Sequence, residues 1–144
     1  MRWKYRKLLL NLGNAAQALI GAESAGEVAE RAREEGEACL RAAGIDCASV
    51  EEDRARRGEV LRIKPVEGRP YGGGSTWQSL QRGTGSIETD YLNGEVSLIG
   101  RLHGVPTPVN DLLQRLAYEA ALNRQPPGRL SVKEFEARLD RGAP

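Results

Sequence analysis

The chain has 144 residues, of which 40% are hydrophobic and 28% charged, the size and balance of a single globular domain with one sizeable core. Its 21 Lys and Arg against 20 Asp and Glu leave a formal charge of +1, so electrostatics give no reason to expect a nucleic acid or an anionic membrane as partner. No apolar run approaches the roughly 20 residues that cross a bilayer, and Cys39, Cys47 and the single His103 make a poor metal set.

The start, MRWKYRKLLLNLG, is basic and then apolar. It fails as a signal peptide because Asn11, Gly13, Asn14 and Gln17 interrupt the apolar run and no small-residue cleavage site follows. A cytoplasmic location with reduced thiols is therefore expected. Leu8, Leu9, Leu10, Leu12, Ala15, Ala16, Leu19 and Ile20 predict one buried central helix over about residues 3–20. Arg2, Lys4, Arg6 and Lys7 crowd its positive end, where no Ser, Thr, Asp or Asn caps it. The helix therefore reads as the continuation of a longer one, from a parent protein that extends upstream.

Three S-x-x-E sequences then predict capping boxes: Ser24 with Glu27, Ser49 with Glu52, and Ser131 with Glu134. They open helices of about 25–43, 50–57 and 132–141, with Gly44, Gly58 and Gly142 placed to end them. In the first, Val28, Ala32, Ala38, Cys39 and Ala42 mark the buried stripe. Residues 58–74 carry Pro65, Pro70 and Gly72–Gly74 and predict an extended loop; EVLRI at Glu59–Ile63 is a weak strand candidate. A short helix is expected over Ser75–Arg82. Another follows over Glu88–Gly104, with Tyr91, Leu92, Val96, Leu98, Ile99 and Leu102 on its apolar stripe. Thr107 can cap a helix over Pro108–Leu122, with Pro108 at the first position. The expected fold is all-α, one helical domain over 1–144.

Few residues invite chemistry. Lys7 could be a solvated lysine at a helix start. However, Asn11 lies one turn on, on the same face, and leucines surround the pair. A lysine at the edge of buried surface loses hydration, which favours its neutral form and suits it to proton transfer. Glu88 is explained as an acid in a first helical turn unless a cation or substrate hydroxyl lies beside it. Ser75 and Thr76 can cap their helix, or, with its free backbone N–H groups, cradle a carboxylate. Gly83–Glu88 (GTGSIE) lacks the third glycine and the βαβ setting of a dinucleotide fingerprint. His103 reads as a helix-end group rather than a base. Trp3, Trp77, Tyr5 and Tyr91 read as core or interface anchors.

Three stretches, YRKLLLNLGNA from Tyr5, STWQSLQRGTGSIETDYLNGEV from Ser75, and GRLHGVPTPVN from Gly100, occur in an order and spacing that resembles the C-terminal domain of the ketopantoate reductase (2-dehydropantoate 2-reductase) family, a helical bundle similar to those of 6-phosphogluconate dehydrogenase-like proteins. The resemblance runs from about Tyr5 to Leu122; over 25–74 it is one of helical character only. It implies a two-domain enzyme in which an N-terminal Rossmann domain, absent from this sequence, binds NADPH. The helical domain closes the cleft, and a 2-oxo acid is reduced to a 2-hydroxy acid, pantoate on the route to pantothenate. The family's catalytic lysine, in K-L-x-x-N, falls on Lys7, as proton donor to the developing alkoxide. Its asparagine falls on Asn11, as a substrate contact. Its glutamate falls on Glu88, orienting substrate or lysine. Its serine falls on Thr76, with Ser75 adjacent, holding the substrate's carboxylate or hydroxyl. The family's second asparagine is replaced by Ala15, with Asn14 shifted by one, and WQSL departs from the usual acid-bearing helix; both put ketopantoate itself in question.

On this reading the chain alone neither turns over nor holds NADPH. Its partners are the missing nucleotide-binding domain, a small 2-oxo acid and a second copy in a homodimer. The competing reading is a non-catalytic helical dimerisation or interaction module that keeps the fold alone.

Overall fold

Helical periodicity dominates the sequence, and a computed structural model, which describes residues 1–58, 74–83 and 89–142, is helical wherever it is regular. The elements are α1 (Arg2–Asn11), α2 (Asn14–Ile20), α3 (Gly26–Ala42), α4 (Val50–Arg57), α5 (Ser75–Arg82), α6 (Thr89–His103), α7 (Pro108–Leu122) and α8 (Val132–Gly142). The weak strand candidate at 59–63 and most of the expected loop lie outside the described residues.

The expected first helix is broken. Leu12 and Gly13 keep right-handed backbone angles, but the turn tightens, with Leu12 N–H donating to the Leu9 carbonyl at 3.4 Å. The reason is close packing on α3: a Cβ at Gly13 would stand 2.8 Å from the Ala29 Cβ. Leu8, Leu9, Leu12, Ala15, Ala16 and Leu19 are buried on either side of this break. Arg6 is buried as well, 4.0 Å from Asp53 of α4, which also takes a 3.0 Å contact from Arg57.

Two of the three capping boxes form. Glu52 N–H donates to Ser49 Oγ while Ser49 N–H donates to the Glu52 carboxylate, and Ser131 with Glu134 repeats the pattern. Ser24 with Glu27 does not. Ser24 and Ala25 N–H groups both turn back to the Gly21 carbonyl, Ala25 becomes the N-cap, and no side chain caps α3. Gly44, in the left-handed region at φ 66°, ends α3, whereas Gly58 stays right-handed at φ −57°. The buried stripe of α3 runs Val28, Ala32, Gly36, Cys39 and Leu40. Ala42 is exposed and Ala38 only half-buried. Gly36 belongs to the stripe because Leu9 and Leu12 fill the place of its side chain.

The stripe of α6 is also displaced from the apolar residues. Leu98 and Leu102 are exposed, while Asn93, Val96, Ser97 and Ile99 are buried. The helix rotates to bring small and amide side chains inward because α7 and α3 approach closely. A Cβ at Gly100 would meet the Val105 carbonyl oxygen at 2.6 Å and the Cys39 sulfur at 3.2 Å. Val105 N–H donates to the Gly100 carbonyl at 2.8 Å, and Gly104 at φ 69° reverses the chain into α7.

Thr107 does not cap α7 with its side chain. Glu35 of α3 does so instead: its carboxylate accepts from Val109 N–H at 2.9 Å and from Asn110 N–H at 3.0 Å. Asn110 Nδ2 donates to the same carboxylate at 2.8 Å and to the Ala32 carbonyl at 2.9 Å. Asn93 Nδ2 donates to Asn110 Oδ1 at 2.9 Å and to the Leu12 carbonyl, at the break, at 3.2 Å. Both asparagines are fully buried. This network joins α3, α6, α7 and the α1–α2 junction through polar bonds inside the core.

The last helix is held by Phe135, fully buried, by an Arg31–Glu136 ion pair at 2.6 Å, and by its leading turn. In that turn Gly128 and Leu130 N–H groups donate to the Ala18 and Leu19 carbonyls of α2.

Replacing Gly100 by Ala forces a side chain against a fixed carbonyl and is expected to cost about 1–3 kcal/mol. Gly26→Ala, with nothing within 4 Å of its Cβ position, should leave the urea midpoint near wild type. Burial pushes the Glu35 carboxyl above its ordinary value of 4.5, against the pull of its backbone and Asn110 donors. Its native value is therefore above its unfolded one. Its contribution to stability is fully present below pH 4.5 and is lost as pH rises through the native value. The stability advantage of wild type over Glu35→Gln should accordingly narrow from pH 4 to pH 7 in urea titrations. A widening would mean that the amide donors outweigh burial.

Candidate functional site

The polar line that begins at Lys7 continues further than the sequence suggested. Lys7, Asn11 and Asn14 fall at i, i+4 and i+7, so they share one side of α1 and α2, and the right-handed angles at Leu12 and Gly13 carry that side through the break. Lys7 is exposed and Asn11 half-buried. The partial desolvation expected of Lys7 from its leucine neighbours is absent, because Leu8 and Leu9 turn to the core while Lys7 and Leu10 face out.

At the far end of this line lies the start of α5. Gly74 N–H donates to Gln17 Oε1 at 3.0 Å. A Cβ at Gly74 would come within 3.1 Å of Asn14 Oδ1 and 3.3 Å of Gln17 Oε1, so a side chain here would crowd both amides. No side chain caps α5; its first free backbone N–H is met by an amide from α2. Ser75 occupies the first position of α5, with only its backbone described. Thr76, at the second, is 1% exposed, and its Oγ1 is buried without a hydrogen-bond partner. Trp77 is half-buried and lies over the turn before α8, where a Cβ on Gly128 would stand 3.6 Å from its ring.

The structure thus brings Asn14, Gln17, Gly74 and the Ser75–Thr76 helix start together, at the end of the face that carries Lys7 and Asn11. Glu88 lies outside the described residues, so its position adds nothing here. His103 is exposed at the last position of α6. Trp3 is stacked under Arg56, 4.4 Å from the ring centre, an anchor between α1 and α4. Asn14 and Gln17 were not singled out as site residues from sequence. The readable signal was their helical register with Asn11, and a glycine, Gly74, at the one point where another backbone comes close. Among the described residues no group of His, Cys, Asp and Glu could hold a metal ion, and no helix is long and apolar enough to cross a membrane. Cys39 and Cys47 are free, their thiols pushed up by burial.

The described residues form an all-helical domain in which the amides of Asn14 and Gln17 meet the start of α5. The chain belongs to the ketopantoate reductase family: the family described as "Ketopantoate reductase PanE/ApbA C terminal" matches residues 1–121. A solved structure, a PanE/ApbA family ketopantoate reductase from Ralstonia eutropha JMP134, is 29% identical and superposes with a TM-score of 0.61 over 84% of this chain. The chain spans 41% of that protein's length. No curated protein matches it.

If Gln17 fixes the start of α5, Gln17→Ala removes one neutral hydrogen bond, worth about 0.5–1.5 kcal/mol. Amide exchange at Gly74 should then quicken by about two- to tenfold, with exchange in α7 unchanged. Equal acceleration in both would mean global destabilisation instead.

Proposed function

We propose that this chain is the substrate-closing half of an NADPH-dependent reductase acting on a 2-oxo acid. The observation that supports this reading best is the abutment of the α5 start on Asn14 and Gln17, at the end of the face bearing Lys7 and Asn11. Asn11 and Lys7 lie one and two helical turns before Asn14, the residue beside which Gly74 opens α5.

In this reading a reduced nicotinamide, held by the family's Rossmann domain, supplies the hydride to the ketone carbon. This chain's part, on the same reading, is substrate binding and proton transfer. Lys7, as the ammonium, gives its proton to the oxygen of the former ketone and stabilises the negative charge that develops there. Asn11 donates to the same substrate. Ser75 and Thr76, with the free N–H groups of the α5 start, hold the substrate carboxylate, where the positive end of the helix favours an anion. Glu88 orients the lysine or a substrate hydroxyl. The exposure of Lys7 follows from the same reading. A second domain closing over this face would remove water from the amine, strengthening its field on the oxyanion.

The substrate within the 2-oxo acid class is set by what lies around Ala15. Asn14 and Gln17 bring amides to the neighbourhood from which the family's second asparagine is missing. 2-Dehydropantoate reduction in pantothenate synthesis, a cytoplasmic setting and a homodimeric assembly are the family's terms and form part of the proposal.

The test is to combine the chain with the NADPH-binding domain of its parent protein and follow NADPH oxidation with ketopantoate and with other 2-oxo acids. Lys7→Ala is expected to lower kcat by about 10²–10⁴-fold, with NADPH affinity unchanged. Turnover that survives Lys7→Ala removes the lysine from the chemistry. Absence of turnover with every 2-oxo acid, in a properly docked pair, favours the non-catalytic module.

A further inference from the structure

The family match stops at residue 121, yet the fold continues through α8, which packs beside α7 and leaves a groove between them. Three adjoining depressions along this groove share Arg138. The central one, about 370 Å³, is lined by Arg115, Leu116 and Glu119 of α7 and Arg138, Arg141 and Gly142 of α8. Three arginines and one glutamate thus line it. Beside it lies a more apolar depression of about 390 Å³, floored by Pro106, Pro108, Leu112 and Leu139, with Arg115 and Arg138 common to both.

What sets this groove apart is that it gathers several arginines, since Arg41, Arg54, Arg124 and Arg129 also have no ion pair among the described residues. Arg2, Arg31, Arg33 and Arg57 have carboxylate partners. Arg115 and Arg141 have neither an ion pair nor a hydrogen bond among the described residues. Among the described residues Arg138 has neither an ion pair nor a hydrogen bond, and the nearby Glu134 carboxylate is already bonded to Ser131. Asp111, at the rim of the apolar depression, faces Arg101 at 4.0 Å. Uncommitted guanidinium forks suit a planar or tetrahedral oxyanion. An apolar floor of this size next to them suits a body of several carbons.

We propose that the α7–α8 groove binds a small organic anion with an apolar body. Its carboxylate, sulfonate or phosphate head sits among Arg115, Arg138 and Arg141, and its body lies over Leu112 and Leu139. The site shares no residue with the Lys7 face, so it stands whether or not the reductase reading holds. Three of its contributors, Arg138, Leu139 and Arg141, lie beyond the family-matched region. The ligand would therefore be particular to chains that carry this last helix.

The experiment uses the full chain and anilinonaphthalene sulfonate, a sulfonate on an aromatic body, followed by its fluorescence, with hexanoate and inorganic phosphate as competitors. Saturable binding is expected, weakened about tenfold by Arg138→Ala or Arg115→Ala, each removing one charge-assisted bond. Arg124→Ala, an exposed arginine outside the groove, should bind as wild type does. Hexanoate should compete where inorganic phosphate at equal concentration does not. Circular dichroism and urea midpoints, with Arg138→Gln as a second variant, separate loss of the site from loss of the fold. Non-saturable binding, affinity unchanged in the folded arginine variants, or equal competition by phosphate each overturns the proposal.

Discussion

The arrangement of this domain depends on a chain of hydrogen bonds from the Leu12 carbonyl through Asn93 and Asn110 to Glu35 and the first N–H groups of α7. Each member lies where water is scarce, so each bond is stronger than at the surface and its loss strands a buried polar group at about 1–3 kcal/mol. The bonds are also directional, which leucine packing is not. A core of leucines and alanines alone would let α6 and α7 slide or rotate on α3. With Asn93 tied to Leu12 and Asn110 tied to Ala32 and Glu35, a single register satisfies the donors. One acceptor is left over, Asn93 Oδ1, which has no partner among the described residues, so the network specifies geometry at some cost in stability.

The same network has a consequence at the candidate site. The Leu12 carbonyl that Asn93 engages sits at the break between α1 and α2. The break lets α2 close on α3 at Gly13 and Ala29, and this places Asn14 and Gln17 where Gly74 can reach them. A buried amide on α6 thereby helps set the position of a helix start bearing the hydroxyls of Ser75 and Thr76. Lys7 and Asn11, on the near side of the break, keep their own register. Polar groups on two helices are held from behind by the core.

The sequence revealed elements more readily than faces. The bounds of α4, α5 and α7 agree with the expectation because local chemistry fixes them: the Ser49–Glu52 box, Gly83 at φ 64° after α5, and Pro108 at a first position. Periodicity misled at α3 and α6, where counting apolar side chains passed over Gly36, Gly100, Asn93 and Ser97. At helix crossings this close, what a position requires is small volume or a paired amide, and neither registers as hydrophobic. The Ser24–Glu27 box failed for a related reason: Ala25 is wanted in the core, and the chain reaches it by a turn at Gly21 that consumes the backbone groups a cap would have served. Lys7 and Asn11 were readable as a pair by spacing. Asn14 and Gln17 needed the tertiary contact with Gly74, some 60 residues away in sequence, before their amides acquired a role.

Ala15, Asn14 and Gln17 show why the two sides of α2 carry different side chains. A side chain at 15 lies on the buried side of α2, where Ala15 is 1% exposed, and an asparagine there would need a polar partner inside a core built of alanine and leucine. Positions 14 and 17, half-buried at the edge, can carry amides without that requirement. An amide at 15 would have to be satisfied inside the core, whereas the amide of Gln17 is met by Gly74 N–H at the edge.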